Sequence, residues 1–222
     1  SGEAPAIGRW AWLAAGMPIE VPGFQLDRRC GSGLQSVIEA AMMVQTGAAD
    51  CVLAGGVESM SNVEHYTTGA RHGTKMGDVA LWDRLTRGRL MSQPIERFGV
   101  ISGMIETAEN LAKDYDISRE AADEYAVSSH QKAAAAWDAG KFDAHTVPID
   151  VPQRRKDPIH FARDEGFRPD ASMESLGGLR AIEKDGIVTA GNASQQNDAS
   201  AACLVVAEDK LGELGLEPML WF

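Results

Sequence analysis

The chain has 222 residues, 44% of them hydrophobic and 24% charged, with a formal net charge of −11. That composition is ordinary for a soluble globular protein with a sizeable core, and its acidic balance argues against a general nucleic-acid binder. No apolar run reaches the length of a membrane span and no basic-then-apolar leader opens the sequence, so neither membrane insertion nor secretion is expected. Three cysteines with no C-x-x-C spacing argue against a disulfide framework and a zinc site. The expectation is a reducing cytoplasm and no metal.

In chain order, residues 4–16 read as a helix with Ala6, Trp10, Leu13 and Ala14 on its apolar face. Val21 to Leu26 reads as a strand, 32–46 as a helix stopped by Gly47, and Cys51 to Ala54 as a short buried strand ending at Gly55-Gly56. These elements make a βαβ unit with Cys30 at the end of its first strand. From 59 to about 100 the pattern weakens into loops and short helices. Helices follow over 104–113 and 118–139, the second with Ser118 as its cap and Glu120, Asp123 and Glu124 in its first turns. Residues 145–170 are extended and rich in Pro and Arg. A strand-like Ile187-Val188-Thr189 leads to a turn, then a buried strand over 201–206, a helix over 208–214, and the start of another strand at 219–222.

Cys30 stands in Arg28-Arg29-Cys30-Gly31-Ser32-Gly33, between the expected strand and the expected helix. Unpaired N–H groups and the positive end of a helix favour a thiolate there, and the glycines leave room for a substrate. Such a turn suits a nucleophile; a packed core thiol is the other reading. Cys51 and Cys203, inside apolar strands, read as core residues. His65 and His72 fall in a polar loop and read as solvent-facing, while His130, His145 and His160 show no ligand spacing. The cations Arg154, Arg155 and Lys156, with Arg163 and Arg168 further on, are either a solvated surface or a phosphate site.

Several blocks, in order, carry a resemblance. They are Cys30-Gly31-Ser32-Gly33; Ala54-Gly55-Gly56-Val57-Glu58-Ser59-Met60-Ser61; Lys75-Met76-Gly77-Asp78; Met104-Ile105-Glu106-Thr107-Ala108-Glu109-Asn110; and Thr189-Ala190-Gly191-Asn192-Ala193-Ser194. Together they resemble the thiolase family of acyl-CoA acyltransferases over nearly the whole chain.

The resemblance implies an α/β fold, the first half of a layered thiolase core, with a mainly helical loop domain inserted. Residues 1–60 would be the core with the nucleophile turn. Residues 61–185 would be the inserted, coenzyme A-binding domain, and 186–222 the return to the core and the start of a second half. Cys30 would be the nucleophile that takes up the acyl group. Ser194 and Met104 would lie along the pantetheine arm of coenzyme A, and Arg168 near its nucleotide end. Coenzyme A and acyl-CoA thioesters would be substrates, with no permanently bound cofactor, and the protein a homodimer or homotetramer.

The sequence departs from the family pattern at Ile105, Gln195 and Ala199, where glycine is usual, and at Asp27, where asparagine is usual. The family also carries strands ahead of the point matching residue 1. Its second half bears a GHP histidine, a NEAF asparagine and a C-x-G cysteine, and none of these motifs occurs in this sequence. The expected activity is thiolysis of 3-ketoacyl-CoA or condensation of acetyl-CoA, with this chain alone inactive. The alternatives are a non-catalytic acyl-CoA-binding or scaffolding subunit, and one subunit of a split thiolase whose other half is a separate chain. A related ketoacyl synthase fits the quoted blocks less well.

Overall fold

A computed structural model describes residues 5–100 and 102–222. Its elements in chain order are α1 (Ile7–Ala14), α2 (Ser32–Gln45), β1 (Cys51–Ser59), β2 (His65–Tyr66), β3 (Trp82–Asp83), α3 (Arg84–Leu90), α4 (Ile95–Phe98), α5 (Met104–Asp114), α6 (Arg119–Asp138), β4 (Ile149–Gln153), β5 (Lys156–Phe161), α7 (Met173–Gly177), β6 (Asp198–Val206) and α8 (Leu211–Leu214). They form two units, one made of residues 1–87 with 196–222, the other of residues 88–195.

In the first unit, β1 and β6 pair antiparallel over nine residues each, with Val52 opposite Val205 and Ala54 opposite Cys203. Side chains alternate across a strand, so Val52, Ala54 and Val205 share one face. Helix α2 packs there, and its Val37, Ala40, Ala41 and Val44 complete the cluster around buried Ala40, Ala54 and Val205. Small residues at 40 and 54 let the helix approach the sheet closely. The opposite face carries Leu53, Val57 and Leu204, each more than half exposed.

The expected βαβ unit does not form. Residues 22–28 have no ladder partner, and the neighbour β1 does take is β6, 147 positions further on and antiparallel. A strand exists through its hydrogen bonds to a neighbour, which apolar alternation alone cannot supply. Side chains of α1 hold the preceding stretch instead: Arg9 donates to the carbonyls of Ile19 (2.7 Å) and Val21 (2.6 Å), and Trp12 Nε1 to that of Pro18 (2.8 Å). The expected helix over 4–16 forms as α1, residue 4 lying outside the described residues. The strand expected at 219–222 is irregular, and its apolar side chains are exposed.

The cysteine expectation also changes. Cys51 and Cys203 are exposed, as is Cys30. Two strands and one helix cover a single face, and Cys51 lies on the other with Leu53. The chain's accessible surface is 17606 Å², against about 9,900 Å² for a folded monomer of its mass.

In the second unit, α5 and α6 follow their expected bounds to within a residue or two. Ser118 caps α6, its hydroxyl accepting the Ala121 N–H at 3.1 Å, and Ser172 and Ser175 form a reciprocal cap on α7. Of the extended 145–170 stretch, residues 149–161 form a hairpin of β4 and β5, with Asp150 opposite His160 and the two side chains hydrogen-bonded at 2.9 Å. Its register breaks between Val151 and Gln153, where Pro152 has no N–H to give the ladder.

Candidate functional site

Cys30 sits in a single 3₁₀ turn, Arg29–Gly31, directly ahead of the fourteen-residue α2. Two side chains shape that turn. The Asp27 carboxylate accepts the Arg29 N–H at 2.8 Å, and the Ser32 hydroxyl accepts the Arg28 N–H (2.8 Å) while donating to the Arg29 carbonyl (2.7 Å). Asparagine and aspartate offer the same acceptor oxygen, so the departure at Asp27 leaves this contact possible. The Arg28 guanidinium reaches Gln35 Oε1 at 2.5 Å, and Gln35 in turn donates to Glu39 at 2.8 Å. Arg29 holds φ at +54°, a conformation uncommon outside glycine that recurs at functional turns. The thiol is solvent-accessible, and among the described residues no imidazole hydrogen-bonds to it.

The other three candidates all belong to the second unit. Met104 is the first residue of α5, with its side chain 80% exposed. Arg168 is exposed, its backbone N–H donating to His130 Nδ1 at 3.1 Å and its guanidinium to the Glu165 carbonyl at 2.9 Å. His130, which shows no ligand spacing in the sequence, therefore anchors the segment that carries Arg168. Ser194 is exposed at the end of the 187–194 turn. The neighbouring Gln195 side chain donates to the Gly166 carbonyl, so the residue standing where glycine is usual ties the Ser194 turn to the Arg168 segment.

The cations do not make one site. Arg154 and Arg155 form the turn between β4 and β5, beside Lys156, whereas Arg163 pairs with Asp138 at 2.8 Å and lies over the rings of Trp137 and Phe167. Among the described residues no group of His, Cys, Asp or Glu could hold a metal ion, and no helix is long and apolar enough to cross a membrane.

The 187–194 turn is built on residues the sequence did not single out. Glu109 on α5, 4% exposed, accepts the Ile187 N–H (3.0 Å to each oxygen) and the Val188 N–H (2.8 Å). Asn192 Oδ1 accepts the Thr189 N–H at 2.7 Å, and its amide donates to Asp123 Oδ1 (2.8 Å) and the Ile187 carbonyl (2.9 Å). Asp123 also takes Arg119 Nε at 2.7 Å, and that guanidinium continues to the carbonyls of Leu176 and Leu179. A buried unpaired carboxylate costs several kcal/mol, whereas hydrogen bonds to charged groups return about 1.5–3 kcal/mol each. The partners decide the balance. Two glycines make the fit possible: a side chain at Gly186 would collide with the Glu109 carboxylate, and one at Gly191 would lie 2.6 Å from Leu179 Cδ1 and 2.9 Å from Leu176 Cγ.

The model of the thiolase N-terminal domain matches residues 1–209. The chain belongs to the thiolase family. It is 45% identical over 221 residues to an acetyl-CoA acetyltransferase of Cupriavidus necator, covering 99% of this chain and 54% of that protein. A probable acetyl-CoA acyltransferase of Staphylococcus aureus is 44% identical over 220 residues, 98% of this chain and 54% of its own. Among solved structures, a Bacillus anthracis acetyl-CoA acetyltransferase superposes with a TM-score of 0.87 at 40% identity, over 98% of this chain and 54% of that one. Human mitochondrial 3-ketoacyl-CoA thiolase in complex with CoA gives 0.81 at 38% identity, over 95% and 51%. The chain thus spans about half the length of the thiolases it matches, and its mixed α/β fold is theirs in part.

Proposed function

We propose that this chain supplies the nucleophile and the coenzyme A-binding segments of a thiolase, acting on 3-ketoacyl-CoA or acetyl-CoA. The observation that carries the proposal is the exposed Cys30 thiol at the start of α2, in a turn fixed by Asp27 and Ser32. In thiolysis, a base takes the thiol proton and the sulfur adds to the 3-keto carbon. The bond between C2 and C3 then breaks, acetyl-CoA leaves as its enolate and is protonated, and the shortened acyl group stays on Cys30. The thiol of a second coenzyme A attacks that thioester, gives up its proton and carries the acyl group away. Condensation transfers an acetyl group from Cys30 to the enolate of a second acetyl-CoA. A covalent intermediate shared by two half-reactions predicts ping-pong kinetics.

Met104, Arg168 and Ser194 would receive coenzyme A. Their exposure within one unit supports this, as does the coenzyme A complex among the related thiolases. The general base would come from a segment these residues do not contain, in the same polypeptide or a separate one, so the 222-residue chain alone would not turn over. Assembly as a homodimer or homotetramer in the cytoplasm completes the reading. Incubation with acetyl-CoA followed by peptide mass spectrometry tests it. An acetyl group on Cys30, lost on adding coenzyme A and absent in Cys30→Ser, is the expected result when a complementing half is present. Acetylation spread over all three cysteines, or turnover by Cys30→Ser, would refute it.

A further inference from the structure

The buried polar or charged residues among those described are Glu109, Asp123 and Thr189, and all three meet at the 187–192 segment. Regular pairing gives that segment little support: one isolated bridge, Ala181 to Thr189, and the bond from the Ile182 N–H to the Val188 carbonyl at 2.9 Å. The consecutive N–H groups of residues 187, 188 and 189 go to side-chain oxygens of Glu109 and Asn192, and the Gly191 N–H to the Thr189 hydroxyl at 3.1 Å. Apolar residues could fill the same interior without burying charge. What carboxylates add is direction, because each oxygen fixes the donor it accepts.

We infer that Glu109 and Asp123 are positioning residues for the coenzyme A-binding turn: they set the path of 187–194, and so the place of Ser194, without touching the ligand. The inference rests on the reading that Ser194 meets coenzyme A. The division of labour is specific. Glu109, from α5, fixes where the turn begins. Asp123, from α6, orients the Asn192 amide, which closes the turn on itself through the Ile187 carbonyl and the Thr189 N–H. Arg119 extends the same network to the carbonyls of Leu176, within α7, and of Leu179, just beyond it, and Leu176 packs against Gly191. The Ser194 hydroxyl hangs at the end of this frame, exposed and without a hydrogen bond among the described residues.

The test is amide hydrogen exchange together with coenzyme A affinity on the full chain, comparing wild type with Glu109→Gln, Asp123→Asn and Ser194→Ala. Glutamine at 109 keeps one acceptor and turns an NH2 toward the Ile187 N–H, a donor facing a donor. The two carboxylate variants should exchange the 187–192 amides about tenfold faster and bind coenzyme A about tenfold more weakly, while amides late in α6 keep their wild-type rates. Ser194→Ala should weaken coenzyme A with exchange unchanged. Wild-type exchange at 187–192 overturns the positioning role, as does faster exchange with wild-type affinity, or a rise spread evenly over the chain. Should Glu109→Gln fail to fold, Asp123→Asn decides. A wild-type chain whose 187–194 amides gain no protection from coenzyme A overturns the ligand reading and, with it, positioning toward that ligand. Normal protection with unaffected carboxylate variants overturns positioning alone.

Discussion

The Asp198 carboxylate accepts the Ser61 backbone N–H at 2.9 Å and the hydroxyl of the same residue, across 137 positions of sequence. Ser59, which pairs with Asp198 in the sheet, adds its own hydroxyl at 3.4 Å. The start of β6 is thereby clasped to the end of β1. The Ser61 hydroxyl first, and the Ser61 N–H after it, hold the Asp198 carboxyl below the usual carboxylate range.

A group whose folded-state value is depressed lends stability above its unfolded value, and loses it as pH falls through the folded one. The clasp should therefore contribute fully at neutral pH, begin to lose its contribution below about pH 4, and lose it completely only as pH falls through the depressed folded value. Asp198→Asn should melt below wild type at pH 7, and the gap should shrink on acidification toward pH 3. Thermal melts across that range decide it; a gap constant with pH would mean the carboxylate's charge plays no part.

Alkylation should single out Cys30. All three thiols are exposed, so access alone does not separate them, but only Cys30 stands at the start of a long helix rather than in a sheet. Iodoacetamide at neutral pH should modify it several-fold faster than Cys51 or Cys203, read by peptide mass spectrometry. Equal rates at the three positions would count against an activated thiol.

Gly191→Ala should destabilise the second unit by about 1–3 kcal/mol, because the added methyl meets Leu179 and the buried Leu176, and Leu176 has little room to move aside. Urea unfolding would measure the loss. A neutral result would show that the turn shifts to accommodate the methyl, and coenzyme A affinity should then fall instead.

The face of the β1–β6 pair opposite α2 offers a different test. Leu53 and Leu204 stand directly opposite one another there, each more than half exposed. Replacing both with threonine should reduce self-association and the binding of apolar dyes while moving stability by no more than about 0.5 kcal/mol. Light scattering and dye fluorescence report the first effect, thermal melts the second.

The helices were readable in the sequence because their signals are local: the Ser118 cap, the apolar spacing of 34–44, Gly47 after α2. What was not readable depends on partners far along the chain. The stretch 21–26 alternates like a strand, yet β1 takes β6 as its partner. Cys51 lies in an apolar run, yet one helix covers only one side of two strands, and Cys203, opposite Ala54 on the helix side, is exposed as well. The Ser194 turn was recognisable from its own residues, but its supports were not. Asp123 and Asn192 are 69 positions apart, Glu109 and Ile187 are 78, and no local pattern links a helical carboxylate to a distant turn. The family blocks held part of that information, since Glu109 is the glutamate of the α5 block, but as a resemblance and without its partners.

Arg29 carries a last consequence. Its left-handed backbone is the conformation glycine adopts freely, so Arg29→Gly would relieve about 1 kcal/mol of backbone strain beside Cys30. It would also delete the cation that precedes Cys30 in the chain. Under the proposed role of Cys30, robustness and reactivity would be set against each other at a single codon, and a variant selected for heat tolerance there should emerge as a slower acyl acceptor.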